Sequence, residues 1–314
     1  MKNKKHFQHK TIKLDGTERE GLLVTTFGAN AELEDEQGNL IRCHVRKNAD
    51  PVITGDRVYW VPEQEAGSGI ILGHLPRKSL LYRPENAHKN KLIAANIDAI
   101  IIVSAPPVLS EDMLDRYLVA AETLNIPPVI LLNKMDLLDA PQKQAVALRL
   151  AAYEKIGYPI IYSSTVTHDG MTELNAFLPN KTCVLIGASG VGKSSIIAAL
   201  TAQSSIRIGT VSANGLGKHT TTTTHLYHLP NGGNLIDSPG VREFGLWNMD
   251  KNAVLAGFVE LKDLLSQCKF RNCQHQQEPG CAVQQALQDN EVDARRYASY
   301  LKILESLGGK RGHR

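Results

Sequence analysis

The sequence predicts a multidomain protein: an all-β barrel first, an α/β domain with a mostly parallel sheet second, and a mainly helical, metal-binding region last. Three observations carry this. Short alternating strands crowd the first quarter of the chain, continuous apolar runs alternate with helical spacing in the middle, and a Cys/His cluster sits among helical segments near the end. At 314 residues the chain is too long for one ordinary domain, and 42% hydrophobic residues suffice for several cores. No apolar run approaches the ~18 residues that span a bilayer. The basic start MKNKKHFQHK has no apolar stretch behind it, which argues against a secretory leader and for a cytoplasmic protein.

The net charge of +3 forces no partner, but its placement is uneven. Lys2, Lys4, Lys5, Lys10 and Lys13 precede the first acidic residue, Asp15, and Lys310, Arg311 and Arg314 close the chain. Such tails attract phosphate backbones without sequence preference, and they also serve solubility. Residues 1–18 are therefore read as a basic tail.

Residues 19–76 read as a barrel. GLLVTT, NAELED, LIRCHVR, DRVYWVP and GIILGHL are strand-like, with Gly28, Gln37-Gly38-Asn39, Asp50-Pro51 and Gly67 as turns between them. Five short strands match the oligonucleotide-binding (OB) fold, although a small sandwich or an SH3-like barrel would give a similar pattern. Arg42, His44, Arg46, Lys47 and Arg57 are its candidate phosphate contacts.

Residues 77–245 read as the α/β domain. DAIIIVSA and PPVILLNK are continuous apolar runs of strand length, as buried parallel strands require, and Met113, Leu114, Tyr117, Leu118, Ala121 and Leu124 between them have helical spacing. The strands KTCVLIG and NLIDSPG follow. Residues 246–314 form the last region, where Val254, Phe258, Leu261 and Leu265 fall on one helical face, as do Tyr297, Tyr300, Leu301 and Leu304.

The chemistry lies in the loops. Gly187-Ala188-Ser189-Gly190-Val191-Gly192-Lys193-Ser194 is a G-x-x-x-x-G-K-[ST] loop between an apolar strand and an apolar helix that runs on through Ser195. Its glycines let successive N–H groups curl around phosphate oxygens, Lys193 would reach the β- and γ-phosphates, and the Ser194 hydroxyl would ligate Mg²⁺. Asn133-Lys134-Met135-Asp136 ends another strand. A carboxylate at Asp136 can accept from both N1–H and the exocyclic amine of guanine, donors that adenine does not offer. Ser163-Ser164 ends a third strand and is a candidate backbone contact to the base. Asp237-Ser238-Pro239-Gly240 places Asp237 to hold Mg²⁺ through water and the Gly240 N–H to sense the γ-phosphate. Upstream, Gly217-Lys218-His219 runs into Thr220–Thr224, of which Thr221 or Thr220 would complete the Mg²⁺ shell. The implied ligand is GTP or GDP with Mg²⁺, and the motif order is circularly permuted, with the base reader ahead of the phosphate loop.

Where a Ras-like protein carries glutamine after the switch glycine, this chain has Val241, followed by Arg242 and Glu243. Valine cannot orient water, so intrinsic hydrolysis should be slow. His219 is the best internal candidate for a catalytic, water-positioning group. Cys268-x4-Cys273-x-His275-x5-Cys281 offers three thiolates and an imidazole, a set that closes a tetrahedral shell around one structural Zn²⁺. Cys43 and Cys183 lie apart from it in strand-like surroundings and are read as core residues.

Taken together, NKMD, GASGVGKS, GLGKHTTT, DSPGVREFG and the cysteine spacing resemble the RsgA (YjeQ) family, circularly permuted GTPases that assist late maturation of the bacterial small ribosomal subunit. The resemblance covers nearly the whole chain. It implies a GTPase stimulated by the small subunit, with that subunit and its rRNA as partners; the short apolar runs argue against membrane attachment, and nothing in the sequence suggests an oligomer, so a monomer is expected. Ser163-Ser164 departs from the usual Ser-Ala. Two other readings stay open at this point: an RNA-binding module with a near-static GTP-bound domain, and a GTPase acting on another RNA.

Overall fold

The computed structural model describes residues 16–65, 67–86, 89–107, 109–201, 224–237 and 251–308. The first five strands are β1 (Arg19–Phe27), β2 (Asn30–Glu34), β3 (Leu40–Val45), β4 (Arg57–Pro62) and β5 (Ser68–His74). They run in the order β1-β2-β3-β5-β4, and β4 pairs back onto β1, which closes a barrel. β3 and β5 are parallel and the other pairs antiparallel. That parallel closure is what an OB-type barrel has and a simple up-and-down barrel lacks. Period-two alternation turns Leu23, Leu33, Val58, Trp60 and Ile71 inward, with Cys43 among them. Gly69 passes under the Trp60 ring, where a Cβ would come within 2.7 Å of it.

A separate hairpin, β6 (Leu80–Asn86) and β7 (Lys89–Ala95), leads into the α/β domain. This domain contains β8 (Ala99–Ser104), α1 (Glu111–Thr123), β9 (Pro128–Leu132), α2 (Ala140–Ile156), β10 (Ile160–Tyr162), α3 (Met171–Phe177), β11 (Thr182–Ile186), α4 (Lys193–Thr201), β12 (His225–His228) and β13 (Asn234–Asp237). The spatial order is β10-β9-β8-β11-β13-β12, parallel except for β12. β11, late in the sequence, thus sits in the middle of the sheet. Its strands are buried on both faces: Ile100 and Ile102 meet the layer of α1, while Ile101 and Val103 meet that of α3 and α4. Local signals set the helix ends. Ser110 caps α1 ahead of Glu111 and Asp112, and Asp139 caps α2 in a reciprocal box with Gln142.

The C-terminal region consists of α5 (Lys251–Gly257), α6 (Val259–Lys262), a 3₁₀ turn at Leu265–Gln267, α7 (Ala282–Gln288) and α8 (Ala294–Gly308). The single helical face expected through Leu265 is broken into three pieces. Gly257 lies so close to α1 that a Cβ would meet Val119 at 2.6 Å, and the chain leaves helical geometry at Phe258. Val254, Phe258 and Leu261 are nonetheless all buried.

A buried charge network fastens this region to the α/β domain. Arg296 is fully buried, with Nη1 2.6 Å from Asp115 on α1 and Nε 2.7 Å from Glu260 on α6. Tyr153 on α2 donates its hydroxyl to the same Asp115 at 2.6 Å. At the other end of the molecule β1 pairs with β12, so barrel and α/β sheet form one continuous eleven-stranded sheet.

Candidate functional site

Because β8, β9, β10 and β11 are parallel, their following loops gather on one edge of the sheet, where the strand order reverses and ligands of α/β proteins bind. Asn133 follows β9 and is fully buried. Its N–H donates to the Ser104 carbonyl at 2.9 Å, and its side-chain amide donates to the Val191 carbonyl of the glycine-rich loop at 3.0 Å. Lys134 adopts a left-handed conformation (φ 63°) and extends to the Gly190 carbonyl at 2.7 Å. These two contacts join the base-reading segment to the phosphate loop. Met135 packs into the core, and its N–H donates to the Ser163 carbonyl at 3.0 Å.

Asp136 emerges beside the turn after β10. The Ser164 hydroxyl donates to one of its carboxylate oxygens and accepts the N–H groups of Val166 and Thr167 at 3.1 Å each. The other serine, Ser163, is also buried and stands 3.4 Å from the Asn133 side-chain oxygen. The carboxylate is therefore held in place by a side chain, where the sequence predicts only backbone contacts from this pair.

In the glycine-rich loop Gly187, Gly190 and Gly192 all have positive φ. A Cβ at Gly187 would lie 2.1 Å from the Val103 carbonyl oxygen, and one at Gly192 would lie 2.3 Å from the Asn133 amide. Side chains are thus excluded from the two places where the loop presses on its neighbours. Ser189 and Gly190 form the exposed outer part of the loop, Ala188 packs half-buried against the apolar layer, and Val191 anchors the loop in it. Lys193 curls over the loop, its Nζ 2.7 Å from the carbonyls of both Gly187 and Ala188. Ser194 and Ser195 are exposed in the first turn of α4. Asp237 ends β13, one strand away from the loop. His219, Thr220, Thr221, Gly240, Val241, Arg242 and Glu243 lie outside the described residues.

The second constellation lies in the C-terminal region. The ligand atoms of Cys268, Cys273, His275 and Cys281 all fall within 4.8 Å of one another. Cys268 Sγ is 4.0 Å from Cys281 Sγ and 3.4 Å from His275 Nδ1, which is itself 3.7 Å from Cys281 Sγ. Zn–S bonds of ~2.3 Å in a tetrahedron place sulfurs about 3.8 Å apart, so the donor set fits the ion. His275 has a left-handed backbone (φ 61°). Its carbonyl accepts from Tyr297 Oη at 2.6 Å and Gln284 Nε2 at 2.8 Å. Glu278 accepts the N–H groups of Gln274, Gln276 and Gln277, and these bonds, led by Gln274, bring its carboxyl down to about 2. Cys43 and Cys183 are buried elsewhere, and burial pushes each thiol up to about 12.

On the barrel, Arg42 lies 3.6 Å from Glu32, Arg57 pairs with Glu20 at 2.9 Å, and His44 bonds Asn30 at 2.7 Å. Phe27, Asn30, Arg42 and His44 line a recess of about 730 Å³ on the β2–β3 side.

A parallel sheet with the phosphate loop on its middle strand, the base reader two strands away and earlier in the chain, and an OB-like barrel and Cys/His region on either side defines a circularly permuted P-loop GTPase. Comparison with known proteins agrees. Residues 74–247 match the RsgA GTPase family. A small ribosomal subunit biogenesis GTPase RsgA of Ectopseudomonas mendocina is 47% identical over 93% of this chain and 87% of its own. The RsgA of Actinobacillus pleuropneumoniae is 46% identical over 93% and 86%. Among solved structures, YjeQ from Thermotoga maritima superposes with a TM-score of 0.77 at 32% identity, covering 95% of this chain and all of the other. YloQ, a circularly permuted GTPase, does so with 0.75 at 27%, covering 96% of this chain. This chain belongs to the RsgA GTPase family, whose members bind guanine nucleotide and hydrolyse GTP.

Proposed function

We propose that this protein hydrolyses GTP on the small ribosomal subunit, assists the subunit's late maturation, and docks and leaves according to its nucleotide state. The observation that carries the guanine reading is the pair of contacts from Asn133 and Lys134 to the phosphate loop, which fix a base reader and a phosphate cradle at one distance from each other. In this reading Asp136, held by Ser164, accepts from guanine, and Lys134 lies along the base. Residues 187–192 offer their N–H groups to the phosphates, Lys193 exchanges its carbonyl partners for phosphate oxygens, and Ser195 adds a contact at the start of α4. Mg²⁺, when bound, neutralises charge on the β- and γ-phosphates. Ser194, Thr221 or Thr220, and Asp237 through water are its proposed holders, and the Gly240 N–H is the γ-phosphate sensor.

Water adds to the γ-phosphorus as the bond to the β-bridging oxygen breaks, leaving GDP and phosphate. Val241 cannot orient that water, so His219 is proposed to do so once the partner is engaged. Cys268, Cys273, His275 and Cys281 are proposed to hold a structural Zn²⁺ that shapes the loop carrying Lys269, Phe270 and Arg271. That loop, with the Phe27/Arg42/His44 recess of the barrel, offers the aromatic and basic groups that single-stranded rRNA would meet. Among the described residues no helix is long and apolar enough to cross a membrane. A cytoplasmic location follows from the relatives' names as ribosome biogenesis factors, and a monomeric state is part of the same proposal.

The test is GTP turnover by the purified protein alone and with small subunits, large subunits or tRNA. Strong stimulation by small subunits only is expected. Tight GTP binding with no stimulation by any of them would favour a static RNA-binding module, and stimulation by tRNA or large subunits a different RNA target.

A further inference from the structure

The barrel is joined to the α/β domain at one particular place. Two of its threonine hydroxyls, Thr25 Oγ1 at 2.8 Å and Thr54 Oγ1 at 3.2 Å, donate to a single acceptor, the carbonyl of Thr224. Thr25 is 2% exposed and Thr54 fully buried, while Thr224 is half-buried. Thr224 is the residue immediately before β12. In the next position His225 pairs on one side with Thr25 of β1 and on the other with Asp237 of β13. Thr25, His225 and Asp237 therefore form one row across three neighbouring strands, spanning about 10 Å, two strand spacings.

The barrel's half of this clamp is rigid. Thr54 lies in the loop between β3 and β4, where its carbonyl accepts the Ala95 N–H at 3.0 Å and Asn96 donates to the Gly55 carbonyl at 2.8 Å. Gly55 fits only as glycine, since its φ is 89° and a Cβ would lie 2.3 Å from the Ala95 carbonyl oxygen. Asp56 closes the loop by accepting from Ile53 N–H and from Arg77 Nε and Nη2. The loop that carries Thr54 is thus tied to β7 and to Arg77 as well as to the residue before β12.

The geometry points to Thr25 and Thr54 as positioning residues for GTP hydrolysis: by holding the Thr224 carbonyl they set β12 against Asp237, and load placed on the barrel is passed along this row to the metal side of the nucleotide site. The inference rests on Asp237 belonging to that site. The partner it implies is whatever nucleic acid the barrel grips, and the effect is on turnover, not on nucleotide affinity.

The full-length protein is tested with Thr25→Val and Thr54→Val, singly and together, and with Thr54→Ser, which keeps the hydroxyl. The double variant is expected to bind fluorescent GDP within about twofold of wild type while its subunit-stimulated kcat falls about tenfold at unchanged KM. Thr54→Ser is expected to restore kcat, which a purely structural loss of packing at the methyl would not predict. A stimulated kcat within about twofold of wild type in the double variant would overturn the inference. A second arm needs no subunit: amide exchange of residues 51–56 is compared with GDP and with a non-hydrolysable GTP analogue bound. Exchange that depends on nucleotide in wild type and loses that dependence in the double variant supports the clamp; no dependence in wild type overturns it. If wild type is stimulated by no subunit, the functional reading fails and the exchange arm still decides the clamp.

Discussion

The α/β domain is joined to its two flanking regions by opposite means. The barrel is joined by a shared sheet at β1 and β12 and by hydrogen bonds that end on backbone carbonyls: the Thr25 and Thr54 hydroxyls on Thr224, the Ala95 N–H on Thr54 and the Asn96 amide on Gly55, a glycine that tolerates no side chain. The C-terminal region is joined through side chains: α5 lies on α1, and Arg296 is buried between Asp115 and Glu260. A joint whose acceptors are backbone carbonyls and whose core is a strand pairing fixes register and direction with neutral groups. A joint made of buried charges depends on every member being present, because each charge left alone has lost its water without gaining a partner. The two joints should therefore fail differently.

The largest effect is expected at the buried charges. Arg296→Ala leaves Glu260 without its buried partner and Asp115 with only Arg295 at 3.1 Å and the Tyr153 hydroxyl, and should cost about 3–5 kcal/mol, measured by urea unfolding. Replacing Arg296 by Met together with Glu260→Gln, which keeps Asp115 for Arg295 and Tyr153, should recover part of that loss. If this double variant is as unstable as Arg296→Ala, the joint is not governed by unpaired charge.

At the barrel joint, Gly55→Ala forces a side chain into a left-handed position against the Ala95 carbonyl. A loss of at least about 1–3 kcal/mol is expected, with faster amide exchange in β1 and β12 and no change around α8. Faster exchange at α8 as well would show the two joints to be coupled.

The cysteines give a chemical comparison. The folded thiols of Cys43 and Cys183 are raised by burial to about 12 from an ordinary 9.0. A raised folded value means that their burial favours the fold below pH ~9 and that this contribution is lost as the pH climbs towards 12. At pH 8 neither should be alkylated in the native protein. The thiols of Cys268, Cys273 and Cys281 should become reactive only after a chelator removes one equivalent of zinc, with mass spectrometry locating the label. Labelling of all three before chelation would count against a closed metal site.

The smallest effect is expected at the half-exposed His228–Glu34 contact between β12 and β2. Glu34→Ala should cost less than about 1 kcal/mol, since the barrel joint is carried by backbone. A larger loss would move that joint towards the side-chain type.

What could be read in the sequence follows the same division. Phosphate loop, base reader and cysteine cluster are local patterns whose residues lie within a few positions of one another, and the barrel strands announce themselves by period-two alternation. The contacts that fix the loops are not local. Ser164 meets Asp136 across 28 positions, Asn133 meets Val191 across 58, and Arg296 meets Asp115 across 181. Nothing in a residue's neighbourhood shows that its partner is so far away. The break at Phe258 is not legible for a related reason: the apolar spacing from Val254 to Leu265 is helical throughout, although α5 ends where Gly257 lies against Val119 of another helix.

The pairing of β1 with β12 also has a consequence for the order in which the molecule is made. Thr25 and its acceptor Thr224 are separated by 199 positions, so a growing chain displays all five barrel strands long before the strand that joins them to the nucleotide domain has been synthesised. Until β11 arrives to fill the middle of the sheet, β8 has an open edge where β13 and β12 must later follow. A truncated chain would therefore own a barrel but no connection from it to the nucleotide site, and only completed molecules would have the two joined.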